Sequence, residues 1–215
     1  MGVTDSWEEV FSSCDGPKAI YFRNDKGKHG VFSNFAEVPV VYEGACYRCS
    51  EGAFQGQKTT DLVKRAEFIN LGGGGAKHLG RQVELRSDWD AIRLQTMFNI
   101  VNAKFSNNAG AGALNDNAAD ILASTGDALI LEDTTGWKDN IWGRDFTTAG
   151  IGKNWLGLCL MLCRVKLTGN PIVKLPYNAY FNISTVFQSL SEDSTIARNL
   201  GYLYNKIYEA GLYIR

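Results

Sequence analysis

The sequence has no surplus of either charge, because 22 Lys and Arg residues stand against 23 Asp and Glu residues. Proteins that are held on nucleic acid by many phosphate contacts usually carry a basic surplus, so the balance argues against a general nucleic-acid binder. If the protein acts on DNA or RNA, we expect it to recognise a local chemical feature. No apolar run approaches the roughly 20 residues that are needed to span a bilayer.

Cysteine and histidine are also scarce. The five cysteines are an odd number, which argues against a disulfide framework, and the two histidines have neither a metal-site nor a triad spacing. Cys46 and Cys49 with Cys159 and Cys163 would supply four zinc ligands. The second pair, however, falls in an apolar predicted helix, where buried thiols behave as small hydrophobic side chains. We therefore predict no metal and no cofactor.

The first eleven residues are polar and acidic and lack the basic and apolar pattern of a signal peptide. Met1 to Ser6 fits the minimal myristoylation pattern at Gly2, which is short and weak evidence. We expect a soluble protein without membrane attachment, located in the cytoplasm, or in the nucleus if the host is eukaryotic.

Periodicity and turn residues predict a mainly α-helical fold with a small β-sheet. A strand is expected at 19–23, a hairpin at 38–48 and another strand at 128–131. Predicted helices cover 50–59, 61–71, 87–105, 113–124 and 154–166, and Gly72 to Gly75 is interpreted as a linker. The predicted organisation is an N-terminal segment (1–18), one compact catalytic domain (19–167) and a C-terminal α/β extension (168–215) packed on it.

The segment from residue 50 to residue 58 is the most informative. On a helix of 3.6 residues per turn, Glu51, Gln55 and Lys58 share one face, which presents a carboxylate, an amide and an amine. Two glycines between them leave room for another group to approach closely. An ordinary solvated face of a helix explains the same spacing, so spacing alone leaves both interpretations open.

The sequence resembles the NADAR (YbiA-like) family over about residues 19–164, through motifs that occur in the family's order. They include Phe32-Ser33-Asn34-Phe35, Ser50-Glu51, Phe54-Gln55, Gln57-Lys58, Leu79-Gly80-Arg81, Asp88-Trp89-Asp90, Lys104-Phe105, Thr125-Gly126-Asp127, Trp142-Gly143 and Leu156-Gly157. Two segments depart from the family pattern and bear on substrate choice. Gly52-Ala53 replaces a common histidine and aromatic pair, and Arg144-Asp145-Phe146 replaces a glycine-rich step.

The resemblance implies a YbiA-like fold and N-glycosidase chemistry. Catalytic roles carry over to Glu51, Lys58 and Asp139. The predicted substrate-binding residues are Arg23, Ser33, Asn34, Phe35, Gln55, Trp89, Trp142, Gly143 and Asn154. Trp89 has an alternative role as a core tryptophan at the start of a helix.

Two side chains suit that chemistry. Cleavage of a ribosyl C–N bond builds positive charge on the anomeric carbon, which the carboxylate of Glu51 can stabilise while it moves a proton. Lys58 can attack the aldehyde of an opened ribose and form a Schiff base, if burial lowers its pKa. Alternatively, Lys58 only binds a phosphate.

The leading hypothesis is an enzyme that removes ADP-ribose from a nucleobase, notably guanine in nucleic acid. Its partner is then an ADP-ribose-bearing nucleotide or nucleic acid, and an ADP-ribosyltransferase toxin is a candidate counterpart. Two alternatives are an N-glycosidase for phosphorylated intermediates of riboflavin synthesis and a non-catalytic ADP-ribose-binding module.

Overall fold

We describe the protein from a computed structural model, in which residues 19–106, 113–126, 128–147 and 154–169 are described. The strands within these ranges are β1 (Ala19–Phe22), β2 (Val40–Tyr42), β3 (Ala45–Tyr47) and β4 (Leu129–Glu132). The α-helices are α1 (Ser50–Gly56), α2 (Leu62–Ala66), α3 (Gly73–Leu79), α4 (Trp89–Phe105), α5 (Ala113–Ala123) and α6 (Trp155–Thr168). The prediction of a mainly helical fold with little sheet is confirmed. Among the described helices, none is long and apolar enough to cross a membrane.

The chain forms two compact units. The first unit holds the described residues from Phe22 to Thr125, and the second unit combines β1 up to Tyr21 with the described residues between Gly126 and Gly169. The predicted domain boundaries stay predictions, because almost all of the segment 168–215 lies outside the described residues.

The predicted hairpin is present in the first unit. Strands β2 and β3 pair antiparallel, with Val40 opposite Tyr47. Glu43 and Gly44 make the turn with φ angles of 49° and 77°. Positive φ at both turn residues is the two-residue turn whose twist matches that of the flanking strands. Val40 and Tyr47 are buried and place the hairpin on the core.

Helix α1 is shorter than predicted, and no side chain of the described residues caps its first turn. The helix ends at Gly56, so Lys58 lies just beyond it. Ser50 is the first helical residue, whereas the capping position is Cys49, whose side chain makes no capping hydrogen bond. The backbone N–H of Glu51 instead donates to the carbonyl of Asn34 at 2.9 Å. A distant loop thus satisfies an amide that lacks a partner within the helix.

The interpretation of Gly72 to Gly75 as a linker was wrong. Gly73 to Gly75 form the first turn of α3, and Gly72 occupies its capping position. A side chain at Gly73 would collide with the ring of Phe35. Tertiary packing of Phe35 against the bare backbone therefore overrides the low helix propensity of glycine.

Helix α4 is the central helix of the first unit, and its buried face consists largely of apolar side chains. The buried apolar residues of α4 are Trp89, Leu94, Met97, Phe98, Ile100, Val101 and Phe105. Their spacing of three and four residues is that of an amphipathic helix.

The second unit contains a two-stranded sheet of β1 and β4, on which α6 packs. A side chain at Gly157 would collide with the carbonyl of Ile130, so glycine allows the helix to lie close to β4. Arg164, near the end of α6, donates to the carbonyl of Ala128 at 2.7 Å. Helix α6 therefore contacts the β4 segment at two places, through Gly157 near the start of the helix and through Arg164 near its end.

Candidate active site

Helix α1 holds Glu51 and Gln55 on one face, as their spacing predicted. Both side chains are buried, and Glu51 is 6% exposed. The Gln55 Nε2 donates to Glu51 Oε1 at 2.8 Å, which fixes the orientation of the carboxylate. The Gln55 amide lies against Gly80, where any side chain would collide with its oxygen. Gly80 thus keeps this pair in place.

Lys58 follows α1 and reaches back toward the same face. It is half-buried, and its Nζ donates to the carbonyl of Gly80 at 3.5 Å. Burial lowers the pKa of Lys58 below its usual value, and the positive charges of Arg81 and Lys77 act in the same direction. The negative charge of Glu51 raises this pKa but does not overcome the burial. The amine is therefore neutral more readily than that of an exposed lysine.

The loop of residues 33–35 lies beside the start of α1. Ser33 and Asn34 are buried, and the Ser33 Oγ accepts a hydrogen bond from the Phe35 backbone N–H at 3.1 Å. The Asn34 Nδ2 donates to the Met97 sulfur at 3.3 Å. Among the described residues, the Asn34 Oδ1 is buried without a hydrogen-bond partner. A buried acceptor of this kind is costly to leave unpaired, and a hydroxyl of a ligand would satisfy it.

Lys104 supports this loop, although the sequence indicated only its place in a motif and no role in the site. Lys104 is 1% exposed, and its Nζ donates to the carbonyl of Ser33 at 2.8 Å. Burial lowers the pKa of Lys104 to about 7, although a negative charge on the nearby Cys49 would raise it. One signal was available in the sequence, because Lys104 follows Ile100 and Val101 at the spacing of the buried face of α4.

The remaining predicted site residues, Trp89, Phe35 and Arg23, have surroundings that differ from those of the Glu51 and Gln55 pair. Trp89 is buried and packs against the ring of Phe54, with the ring centroids 5.0 Å apart. This contact favours the alternative of a core tryptophan. Phe35 is half-buried beneath the ammonium of Lys77, and Arg23 is exposed just after β1.

Asp139, Trp142 and Gly143 lie in a loop of the second unit. The Asp139 Oδ1 accepts hydrogen bonds from the backbone N–H groups of Ile141 and Trp142, each at 3.0 Å. Trp142 is half-buried and packs edge-on against Trp155, with centroids 6.0 Å apart. At Gly143, a side chain would collide with Thr134. Asp139 therefore shapes the turn that presents Trp142.

Both the oxygen and the nitrogen of the Asn154 side-chain amide form hydrogen bonds within the second unit. Its Oδ1 accepts from the Glu132 backbone N–H at 3.0 Å, and its Nδ2 donates to the Ile130 carbonyl at 2.9 Å. Its φ of 51° lies in the left-handed region, which asparagine tolerates better than most residues. Asn154 therefore joins β4 to the start of α6.

The structure thus brings six predicted residues together in the first unit: Glu51, Gln55, Lys58, Ser33, Asn34 and Phe35. Across the described parts of the chain, no group of three or more His, Cys, Asp or Glu side chains is placed to hold a metal ion. The site offers a buried acid, an amine of lowered pKa and an unused acceptor. These are groups that move protons and attack electrophilic carbon.

Comparison with known proteins places the chain in a family. The NADAR domain model matches residues 21–168. The chain belongs to the NADAR family. Within the family, N-glycosidase YbiA of Escherichia coli is 34% identical over 151 residues, which cover 69% of this chain and 88% of YbiA. The NMR structure of E. coli YbiA matches with a TM-score of 0.60 at 32% identity, over 71% of this chain and 86% of that one.

Another relative of this chain is a longer protein. The riboflavin biosynthesis protein VVA0006 of Vibrio vulnificus is 33% identical over 162 residues. The match covers 74% of this chain but 40% of that protein. This chain therefore corresponds to one part of VVA0006.

Proposed function

We propose that this NADAR protein is an N-glycosidase that removes ADP-ribose from a nucleobase, guanine in nucleic acid, with Glu51 and Lys58 as catalytic residues. The observation that carries the proposal is the pairing of a buried, oriented carboxylate with a half-buried amine whose pKa is lowered. The name of the E. coli relative, N-glycosidase YbiA, supports the reaction class. A module that only binds ADP-ribose has no need of an acid beside such an amine.

In the proposed reaction, the neutral Lys58 amine attacks the ribose carbon that bears the base. The C–N bond to the base breaks with its electron pair on the base nitrogen, which takes a proton from Glu51. The carboxylate of Glu51 then removes a proton from the new Lys58–ribose amine and returns it to the ring oxygen as the sugar opens to a Schiff base. Water adds to the imine carbon, the proton that it releases returns to the carboxylate of Glu51, and Lys58 leaves as the neutral amine, so one water is consumed for each bond cleaved.

Two neighbours of Glu51 support this reaction in the proposal. Gln55 donates to the carboxylate and holds it in one orientation. Asn34 lies beside the first turn of α1, where its backbone carbonyl accepts from the Glu51 N–H, and the proposal assigns its buried Oδ1 to a hydrogen bond from a ribose hydroxyl. Hydrogen bonds to sugar hydroxyls that strengthen in the transition state contribute to catalysis in glycosidases generally.

The test uses an oligonucleotide with ADP-ribose on guanine and follows released ADP-ribose by mass spectrometry. We expect release by the wild type and by Glu67→Gln, a matched control, because Glu67 is an exposed acid paired with Lys64. Glu51→Gln should slow release by at least about 100-fold, and Lys58→Ala should abolish it. A folded wild-type protein that releases nothing would overturn the proposal.

A second candidate is an N-glycosidase for phosphorylated intermediates of riboflavin synthesis, which the name of the relative VVA0006 favours. The same residues would carry that reaction. Turnover of such an intermediate, without release from the ADP-ribosylated oligonucleotide, would establish this candidate. Binding of ADP-ribose without turnover of either substrate would establish the non-catalytic alternative.

A further inference from the structure

Four cations of the first unit form ion pairs with carboxylates on the surface. These ion pairs are Arg48 with Glu37, Lys64 with Glu67, Arg86 with Asp88 and Arg93 with Asp90. Lys77 and Arg81 differ, because neither has a carboxylate partner among the residues that the structure describes. Two neighbouring cations without a counter-charge are an arrangement that an anion stabilises.

These two cations lie next to the catalytic side chains. Lys77 is in α3 and Arg81 follows its end, four residues on, with Gly80 between them. Gly80 accepts a hydrogen bond from Lys58 and lies against the amide of Gln55. The end of α3 that carries the cations is therefore the end that packs on the proposed site.

Lys77 is also held in place by the loop of residues 33–35. Its Nζ lies 5.8 Å from the centre of the Phe35 ring, a cation–π distance. The Lys77 Nζ makes no hydrogen bond within the described residues, so its N–H groups are able to donate to another acceptor. Arg81 is exposed and offers a planar fork that suits phosphate oxygens.

We propose that Lys77 and Arg81 form an anion subsite that binds phosphate oxyanions of the substrate beside Lys58. The identity of the group that carries the phosphate rests on the proposed function. Binding of an anion at Lys77 and Arg81 can be measured without any turnover. The phosphate belongs either to the diphosphate of an ADP-ribosyl group or to the backbone of the nucleic acid that bears it. Because the net charge of the whole chain is close to zero, the chain as a whole does not attract an anion. In the proposal, the local positive charge of Lys77 and Arg81 provides that attraction.

The subsite has a second consequence for Lys58. The positive charges of Lys77 and Arg81 lower the pKa of Lys58, so their removal raises it. A higher pKa leaves less neutral amine at a given pH. Neutralising the pair therefore moves the acidic limb of the pH–rate profile to higher pH, in addition to weakening phosphate binding.

The test compares Lys77→Gln/Arg81→Gln with Lys64→Gln/Arg93→Gln, a control that removes the same number of charges from ion-paired positions. Inorganic pyrophosphate is titrated by calorimetry at fixed ionic strength, without any turnover. We expect the first variant to bind about 10-fold more weakly than wild type and the control to bind within about twofold of it. Equal binding of pyrophosphate by both variants would overturn the subsite.

Two further titrations identify the source of the phosphate. A loss of affinity for free ADP-ribose alone assigns the subsite to the diphosphate, and a loss for an unmodified single-stranded oligonucleotide alone assigns it to the backbone. For a substrate that the enzyme cleaves, we expect the KM of Lys77→Gln/Arg81→Gln to be about 10-fold higher than that of wild type. Its kcat at the plateau of the pH–rate profile should equal that of wild type. If wild type binds pyrophosphate through this pair but cleaves no substrate, the proposed function fails and the subsite stands.

Discussion

The two units use the polar residues of their family motifs in different ways. In the first unit, Glu51 and Lys58 lie close enough to interact electrostatically, and the Oδ1 of Asn34 has no partner among the described residues. In the second unit, Asp139 and Asn154 direct their side chains to backbone groups of their own loop and strand. Membership of a family motif therefore does not distinguish a residue that does chemistry from one that shapes a loop. Hydrogen-bond partners separate the two groups, and the proposed catalytic roles follow the first group.

The largest effect should follow from Glu51→Gln. Glutamine has the shape of glutamate and still offers an oxygen to the Gln55 amide, but it cannot shuttle a proton. We expect kcat to fall by about 10²–10⁴-fold. Thermal unfolding should stay close to wild type, because the hydrogen bond is kept. Initial rates together with circular dichroism melting measure both quantities. Retention of more than about a tenth of wild-type kcat would show that Glu51 is not the proton carrier.

Asn154→Ala should mainly destabilise the protein. It removes two hydrogen bonds to β4, one of them buried and the other partly buried, and places alanine at a positive φ. We expect a loss of about 2–4 kcal/mol in the free energy of unfolding, measured by urea denaturation. Asn154→Gly should lose less, because glycine accepts this φ. An Asn154→Ala protein with unchanged stability and a raised KM would instead assign Asn154 to the substrate, as its motif suggested.

Lys104→Met should change how stability depends on pH. Lys104 has a pKa of about 7 in the folded protein against an ordinary 10.5, so between these values the unfolded chain binds one more proton than the folded one. The contribution of Lys104 to the free energy of unfolding therefore rises with pH between these two values. Methionine cannot titrate, so the variant should show a flatter increase between pH 7 and 10. Urea denaturation at several pH values, with Ile100→Val as a control in the same helix, checks this. Identical slopes in Lys104→Met and wild type would contradict the lowered pKa.

The smallest effect is expected for Asp139→Asn. Asparagine keeps an oxygen that can accept from the backbone N–H groups of Ile141 and Trp142, so the turn should survive. We expect kcat within about threefold of wild type, since the proton chemistry is assigned to Glu51. Asp139→Ala, which removes the acceptor, should lower stability by about 1 kcal/mol. A kcat loss of about 100-fold in Asp139→Asn would give Asp139 the catalytic role that its motif implied.

Much of the fold was predictable, because local rules and tertiary structure agree there. The turn at Glu43 and Gly44 and the end of α4 at Phe105 follow from turn chemistry and apolar spacing. The helical turn at Gly73 was not predictable, since only the approach of Phe35 makes glycine necessary. Local propensity has no information about such a distant partner.

The residue types of the candidate site could be predicted from the sequence, but the partners that their side chains contact could not. The spacing of Glu51 and Gln55 on α1 follows from the sequence, and their hydrogen bond agrees with it. The burial of Lys104 beneath Ser33 depends on two segments 71 residues apart. A sequence pattern shows that Lys104 lies on a buried face, but only packing shows which carbonyl it binds.

The proposed role of Lys58 as the nucleophile can be tested most directly by trapping its Schiff base. Wild-type protein would be mixed with the guanine-ADP-ribosylated oligonucleotide in the presence of borohydride, which reduces an imine to a stable amine. Peptide mass spectrometry should then find ADP-ribose on the peptide that contains Lys58, and Lys58→Ala should give no adduct. Turnover by wild type with no adduct, or an adduct on another lysine such as Lys77, would contradict Lys58 as the nucleophile.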